Sequence, residues 1–132
     1  MALKLLLIGQ MNRVLLCTHD PMLLKVLYGP LRDDGYAVEV TDHPAEAVRC
    51  VLNDRYSAVM LDSDGIGLNA QDAAVIIQAI SPDIHILIIG QSEAGGGYAF
   101  ERPVAIDRLR DLLREINEGG GHDAKRDRSR SL

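Results

Sequence analysis

Tryptophan is absent from this chain, and a single phenylalanine stands beside four tyrosines. A core built from such a sequence is aliphatic. Basic charge is also short: 14 Lys and Arg face 19 Asp and Glu, for a net charge of −5. Phosphate backbones are bound by basic faces, so a nucleic-acid partner is not expected. Lysine is limited to Lys4, Lys25 and Lys125. The two cysteines, Cys17 and Cys50, fall on separate segments without the paired spacing of a metal or disulfide site. They read as buried thiols in a reducing compartment, which sets the expected location as cytoplasmic. No apolar run approaches the ~20 residues that cross a bilayer as a helix, so neither a transmembrane helix nor a membrane partner is expected.

What is present suits one soluble domain: 132 residues, 47% apolar and 25% charged. Its organising stretch is Tyr56-Ser57-Ala58-Val59-Met60-Leu61-Asp62-Ser63-Asp64-Gly65. An unbroken apolar run of this length suits a strand buried on both faces, as in a parallel sheet covered by helices. A carboxylate at the exit of that strand sits on the carboxyl edge of the sheet, where open α/β folds hold their ligands. Asp62 is therefore the first candidate functional residue.

Residues 1–10 form an apolar extension, Ala2 to Gly9, with only Lys4 charged; if ordered, its apolar face has to be covered, and self-association would do that. Val14 to Cys17 is the first strand. Asp20 ahead of Pro21 marks a helix start, a side-chain cap followed by proline at the first helical position. Leu23, Leu27 and Leu31 then recur every four residues along one face. A second strand spans Ala37 to Val40, and His43-Pro44 opens a helix with Ala47, Val48, Val51 and Leu52 expected to point inward. Asn69 caps a third helix whose expected inner face is Ala73, Ile76, Ile77 and Ile80. His85 to Ile89 is a fourth strand, Tyr98 to Glu101 a short fifth. The last helix runs from about Ala105 to Glu118 on a stripe of Ile106, Leu109, Leu112, Leu113 and Ile116. Residues 119–132 begin with three glycines, carry four basic and two acidic residues, and read as a flexible basic tail. Alternating strands and helices with short links give an α/β fold: a five-stranded parallel sheet with helices on both faces.

With the elements placed, residues 11–118 resemble the receiver domain of two-component response regulators, a flavodoxin-like fold. The segment Val14-Leu15-Leu16-Cys17-Thr18-His19-Asp20-Pro21, the strand ending at Asp62 and the pair Arg102-Pro103 carry the likeness. It implies that Asp62 occupies the phosphoacceptor position served by a histidine kinase, and that Mg²⁺ assists the transfer. It also exposes departures. The acidic pair that would hold Mg²⁺ falls on Thr18 and His19, with Asp20 next in line, and magnesium prefers hard oxygen ligands in near-octahedral array. The hydroxyl residue after the fourth strand is Gly90, with Ser92 the nearest hydroxyl, and the lysine after the fifth is Arg102, a planar and bulkier cation. Between Gly90 and Tyr98 the chain is too short for a helix plus two links, so that helix is expected to be missing or shortened, leaving a surface that a neighbour or the N-terminal run must cover.

The expected function is a stand-alone signalling module acting through protein contacts, not an enzyme, with phosphorylation at Asp62 impaired or absent. No cofactor is expected, Mg²⁺ entering only if phosphorylation occurs. Expected partners are proteins, a histidine kinase among them, and a second copy of the chain in a homodimer. A working phosphoacceptor is the first alternative. The second is a haloacid-dehalogenase-like phosphatase, suggested by the resemblance of Asp62-Ser63-Asp64-Gly65 to that family's nucleophile motif, with Asp62 attacking and Asp64 as acid/base. Its later metal-binding strand would place Gln91 where an Asp is required.

Overall fold

A computed structural model describes residues 12–63, 68–90, 98–101 and 104–117. In chain order they form β1 (Arg13–Cys17), α1 (Pro21–Asp33), β2 (Ala37–Thr41), α2 (Pro44–Asn53), β3 (Ala58–Asp62), α3 (Ala70–Ile80), β4 (His85–Ile89), β5 (Tyr98–Phe100) and α4 (Ile106–Asn117). The strands make one all-parallel sheet in the order β2-β1-β3-β4-β5. The apolar extension at 1–10 and the tail at 119–132 lie outside the described residues.

Local chemistry explains the boundaries. Asp20 caps α1, its carboxylate accepting the Met22 N–H at 3.0 Å, and Pro21 takes the first turn, where no N–H is needed. Gly35 follows the end of α1 with φ 98°, a left-handed turn that glycine adopts without penalty. Asn69 caps α3 by accepting the Asp72 N–H at 2.7 Å.

Side-chain alternation splits the core into two layers. Val14, Leu16, Ala58, Met60, Leu87 and Ile89 face one side and pack with Leu23, Leu27 and Leu31 of α1 and Leu109, Leu113 and Ile116 of α4. Leu15, Cys17, Val59, Leu61, Ile86 and Ile88 face the other, under Ala47 and Val51 of α2 and Ala73 and Ile77 of α3. Helices therefore cover both faces, and the stripes expected for α1 and α4 face the core, with Ile106 and Leu112 of α4 only half-buried. Two other expected inner positions do not. Leu52 is 61% exposed and Ile76 39% exposed. Each neighbours a second apolar residue, Val51 and Ile77, and successive helix positions differ by about 100°, so only one of each pair can face the sheet.

The register of β5 shows how little chain the last crossover needs. Tyr98 pairs with Leu87 and Phe100 with Ile89, so the chain returns only two residues along β4 before pairing again. An ordinary parallel crossover takes a dozen residues or more; here positions 90 to 97 suffice. The expectation of a missing or shortened helix falls on 91–97, outside the described residues; among those described there are four helices.

Among the described residues, ion pairs at two places join elements far apart in sequence. Arg110 of α4 makes a two-pronged bond to Asp34 after α1, at 2.7 and 2.6 Å, which raises the arginine's affinity for its proton and lowers that of the carboxylate. At the amino edge of the sheet, Glu39 accepts from the Arg13 guanidinium and from the Tyr56 hydroxyl, the latter at 2.5 Å, while Arg13 lies 5.2 Å from the Tyr56 ring centre. The Tyr56 hydroxyl first, and Arg13 after it, hold the Glu39 carboxyl below its usual range, against the opposing effect of burial. A depressed carboxylate stabilises the fold fully above its unfolded value of about 4.3, and that contribution disappears as pH falls through the lower folded value. Glu39→Gln is expected to lower stability at pH 7 by no more than about 1 kcal/mol, because the pair is partly solvated. Urea unfolding of both proteins from pH 7 downward should show the gap closing below about pH 4.

Candidate functional site

In a sheet of order 2-1-3-4-5, the chain leaves β1 toward one side and β3 toward the other, which opens a crevice at their carboxyl ends. Cys17 pairs with Leu61 across these strands, so the next residues on each, Thr18 and Asp62, meet at the crevice. Both are buried, at 3% and 2% exposure. The Thr18 hydroxyl donates to Asp62 Oδ2 at 2.6 Å, and the Thr18 Oγ1 in turn accepts the Asp20 N–H at 3.0 Å. The loop after β1 is further held by the Thr18 N–H, which donates to the Thr41 carbonyl at 2.9 Å. On the far side the Ser63 N–H donates to the Ile89 carbonyl at 2.9 Å, tying the exit of β3 to β4.

The other sequence candidates divide. Asp20 reaches Thr18 through its backbone, and its Oδ1 is engaged by the Met22 N–H as the cap of α1. His19 is exposed. Gly90 follows Ile89, the register partner of Asp62, and so stands beside the site. Its φ is 106°, and its N–H donates to the Phe100 carbonyl at 2.7 Å. A β-branched residue such as threonine would be strained in that left-handed conformation, a backbone reason for glycine where a hydroxyl was sought. Arg102, Asp64, Gln91 and Ser92 lie outside the described residues.

The resemblance puts Thr18 where a metal-holding carboxylate would stand, and the structure shows it as the hydrogen-bond donor to Asp62. The signal was a hydroxyl residue directly after one buried strand and a carboxylate ending another; only their adjacency was missing. Cys17, just ahead of Thr18, is no nucleophile. Burial first, with the Asp62 and Asp42 carboxylates adding to it, pushes its thiol up to about 11, so it stays protonated near neutral pH.

The described residues do not by themselves supply the ligand set of a resident Mg²⁺. That ion takes six hard oxygens in near-ideal geometry. The crevice supplies the Asp62 carboxylate, one oxygen of which is held by Thr18, and a threonine hydroxyl that is already donating. Among the described residues, the loop after β1 adds an exposed imidazole and a capping carboxylate. Among the described residues, no group of three or more His, Cys, Asp or Glu is placed to hold a metal.

The chain matches no protein-family profile and no curated protein sequence. Solved structures do resemble it. The receiver domain of a sensor histidine kinase from Pseudomonas aeruginosa, solved with a magnesium ion coordinated in its active-site cleft, aligns with TM-score 0.74 and 22% identity over 82% of this chain and 98% of that one. A CheY-like receiver domain from Methanospirillum hungatei aligns with TM-score 0.70 and 16% identity over 83% and 98%. The receiver domain of the Saccharomyces cerevisiae response regulator Ssk1, solved with the histidine phosphotransfer protein Ypd1, aligns with TM-score 0.71 and 16% identity over 80% and 88%. These likenesses show the fold: the chain has the fold of a response-regulator receiver domain.

Proposed function

We propose that the protein is a signalling module that works through protein contacts, with phosphoryl transfer to Asp62 impaired or absent. The observation that carries this reading is the buried 2.6 Å bond from Thr18 to Asp62. A carboxylate that accepts a phosphoryl group needs a free oxygen aimed at the donor and a cation to neutralise the transferred charge. Here one oxygen is occupied by a hydroxyl, at a position where the resemblance would place a metal-holding carboxylate. The left-handed backbone at Gly90 supports the same reading, since no hydroxyl stands there to follow a phosphoryl group.

On this reading the module is not an enzyme, works in the cytoplasm and needs no cofactor. No helix among the described residues is long and apolar enough to cross a membrane. Its partners are proteins, as Ypd1 is for the Ssk1 receiver domain. A second copy also fits: β5 is a short edge strand with Tyr98 40% exposed, an edge open to pairing. The alternative of a working phosphoacceptor rests on Asp62 itself, which keeps its place at the carboxyl edge of β3.

The decisive measurement is intact mass after incubation with Mg²⁺ and acetyl phosphate, beside an Asp62→Asn variant. No added phosphoryl group is expected in either protein. A gain in the parent chain alone would establish the phosphoacceptor instead.

A further inference from the structure

The hydrogen bonding that begins at Asp62 does not stop at Thr18. The Thr18 hydroxyl donates to Asp62 Oδ2 at 2.6 Å, Thr18 Oγ1 accepts the Asp20 N–H at 3.0 Å, and Asp20 Oδ1 accepts the Met22 N–H at 3.0 Å. The Asp20 carbonyl also accepts the Leu24 N–H at 3.0 Å, the bond that opens α1. A continuous chain of bonds thus runs from a carboxylate 2% exposed to a helical turn whose Met22 is 67% exposed.

The links depend on one another. A hydroxyl that donates to a charged acceptor becomes a better acceptor itself, so the two bonds at Thr18 Oγ1 reinforce each other. The Thr18 backbone is pinned to β2, its N–H donating to the Thr41 carbonyl at 2.9 Å. What reaches Thr18 from Asp62 therefore passes through rotation about one side-chain bond. Deprived of Oδ2, the buried hydroxyl has to turn toward another acceptor, since an unmet buried donor is costly. Turning about χ1 moves Oγ1 from one staggered position to another, away from the Asp20 N–H. On the β4 side of Asp62, Gly90 has no side chain to carry a matching link.

We propose that Thr18 relays the state of Asp62 to the first turn of α1. A cation or hydrogen-bond donor that takes Asp62 Oδ2 from the Thr18 hydroxyl loosens that turn, and a buried event is thereby carried to the surface at Met22. The relay takes Asp62 as its input, as the signalling reading does, but needs no phosphoryl transfer. A phosphoryl group gained from acetyl phosphate would overturn that reading and leave the relay standing.

Amide hydrogen exchange followed by NMR in the full chain tests it, read at the Asp20, Met22 and Leu24 amides. The matched control is the start of α3, where Asn69 accepts the Asp72 N–H through its side chain and the Ala73 N–H through its carbonyl. That helix follows β3 directly, so a general disturbance around Asp62 reaches it as readily as α1. Asp62→Ala should speed exchange at the three α1 amides about fivefold, the scale of a lost helix cap, and leave Asp72 and Ala73 unchanged. Asp62→Asn keeps an accepting oxygen but not the charge, and should give about a twofold rise at the same amides; it carries the test alone if the alanine variant does not fold. In a Thr18→Val background, Asp62→Ala or Asp62→Asn should add nothing at these positions. Parent rates at the α1 amides overturn the proposal. So does an equal rise at the start of α3, or a rise that persists without the Thr18 hydroxyl.

Discussion

Thr18→Val is expected to destabilise the fold by about 2–3 kcal/mol, more than its small change in volume suggests. The hydroxyl donates to a carboxylate at 2.6 Å where both groups are almost wholly buried, and hydrogen bonds to charged acceptors are worth roughly twice neutral ones. Valine removes that donor without admitting water, and it also removes the acceptor of the Asp20 N–H at the mouth of α1. Thr18→Ser keeps the hydroxyl and should recover most of the loss. The bond itself is isolated by a double-mutant cycle: in an Asp62→Ala background, Thr18→Val should cost less than about 1 kcal/mol. Urea unfolding of the four proteins supplies the comparison. Equal costs in both backgrounds would mean that the hydroxyl does not act through Asp62.

Leu113→Ala should cost about 3–4 kcal/mol, the usual price of a large cavity in an aliphatic core. Leu113 is fully buried between α4 and the sheet, in the layer that also holds Leu27, Leu31 and Met60. Leu52→Ala is the matched comparison. Sequence periodicity places Leu52 inside α2's apolar face, yet it is 61% exposed, so its removal should move stability by no more than about 0.5 kcal/mol. Thermal unfolding of the two variants side by side separates the structural account from the periodicity account, since the latter predicts similar losses.

The same contrast marks what could be read without coordinates. Helix starts at Asp20-Pro21 and Asn69 were legible because a cap is a local event, one side chain meeting an N–H two or three residues away. The stripes of α1 and α4 were legible because Leu23, Leu27 and Leu31, and Leu109, Leu113 and Ile116, recur every three or four residues along the helix, even though Leu24 and Leu112 stand beside them. α2 and α3 were less so, because Val51-Leu52 and Ile76-Ile77 offer adjacent apolar residues and local pattern does not choose between them. The link from Arg110 to Asp34 joins residues 76 apart and leaves no trace in either neighbourhood.

By itself, then, the sequence determined the alternation of buried strands and capped helices, the aliphatic character of the core and the place of Asp62 at a strand exit. These follow from backbone periodicity and short-range hydrogen bonding. Tertiary structure alone decided that the Thr18 hydroxyl donates to Asp62, and that Gly90 takes a left-handed conformation beside them. Both depend on which strands become neighbours, and strand pairing is set by burial across the whole sheet rather than by any one stretch of chain.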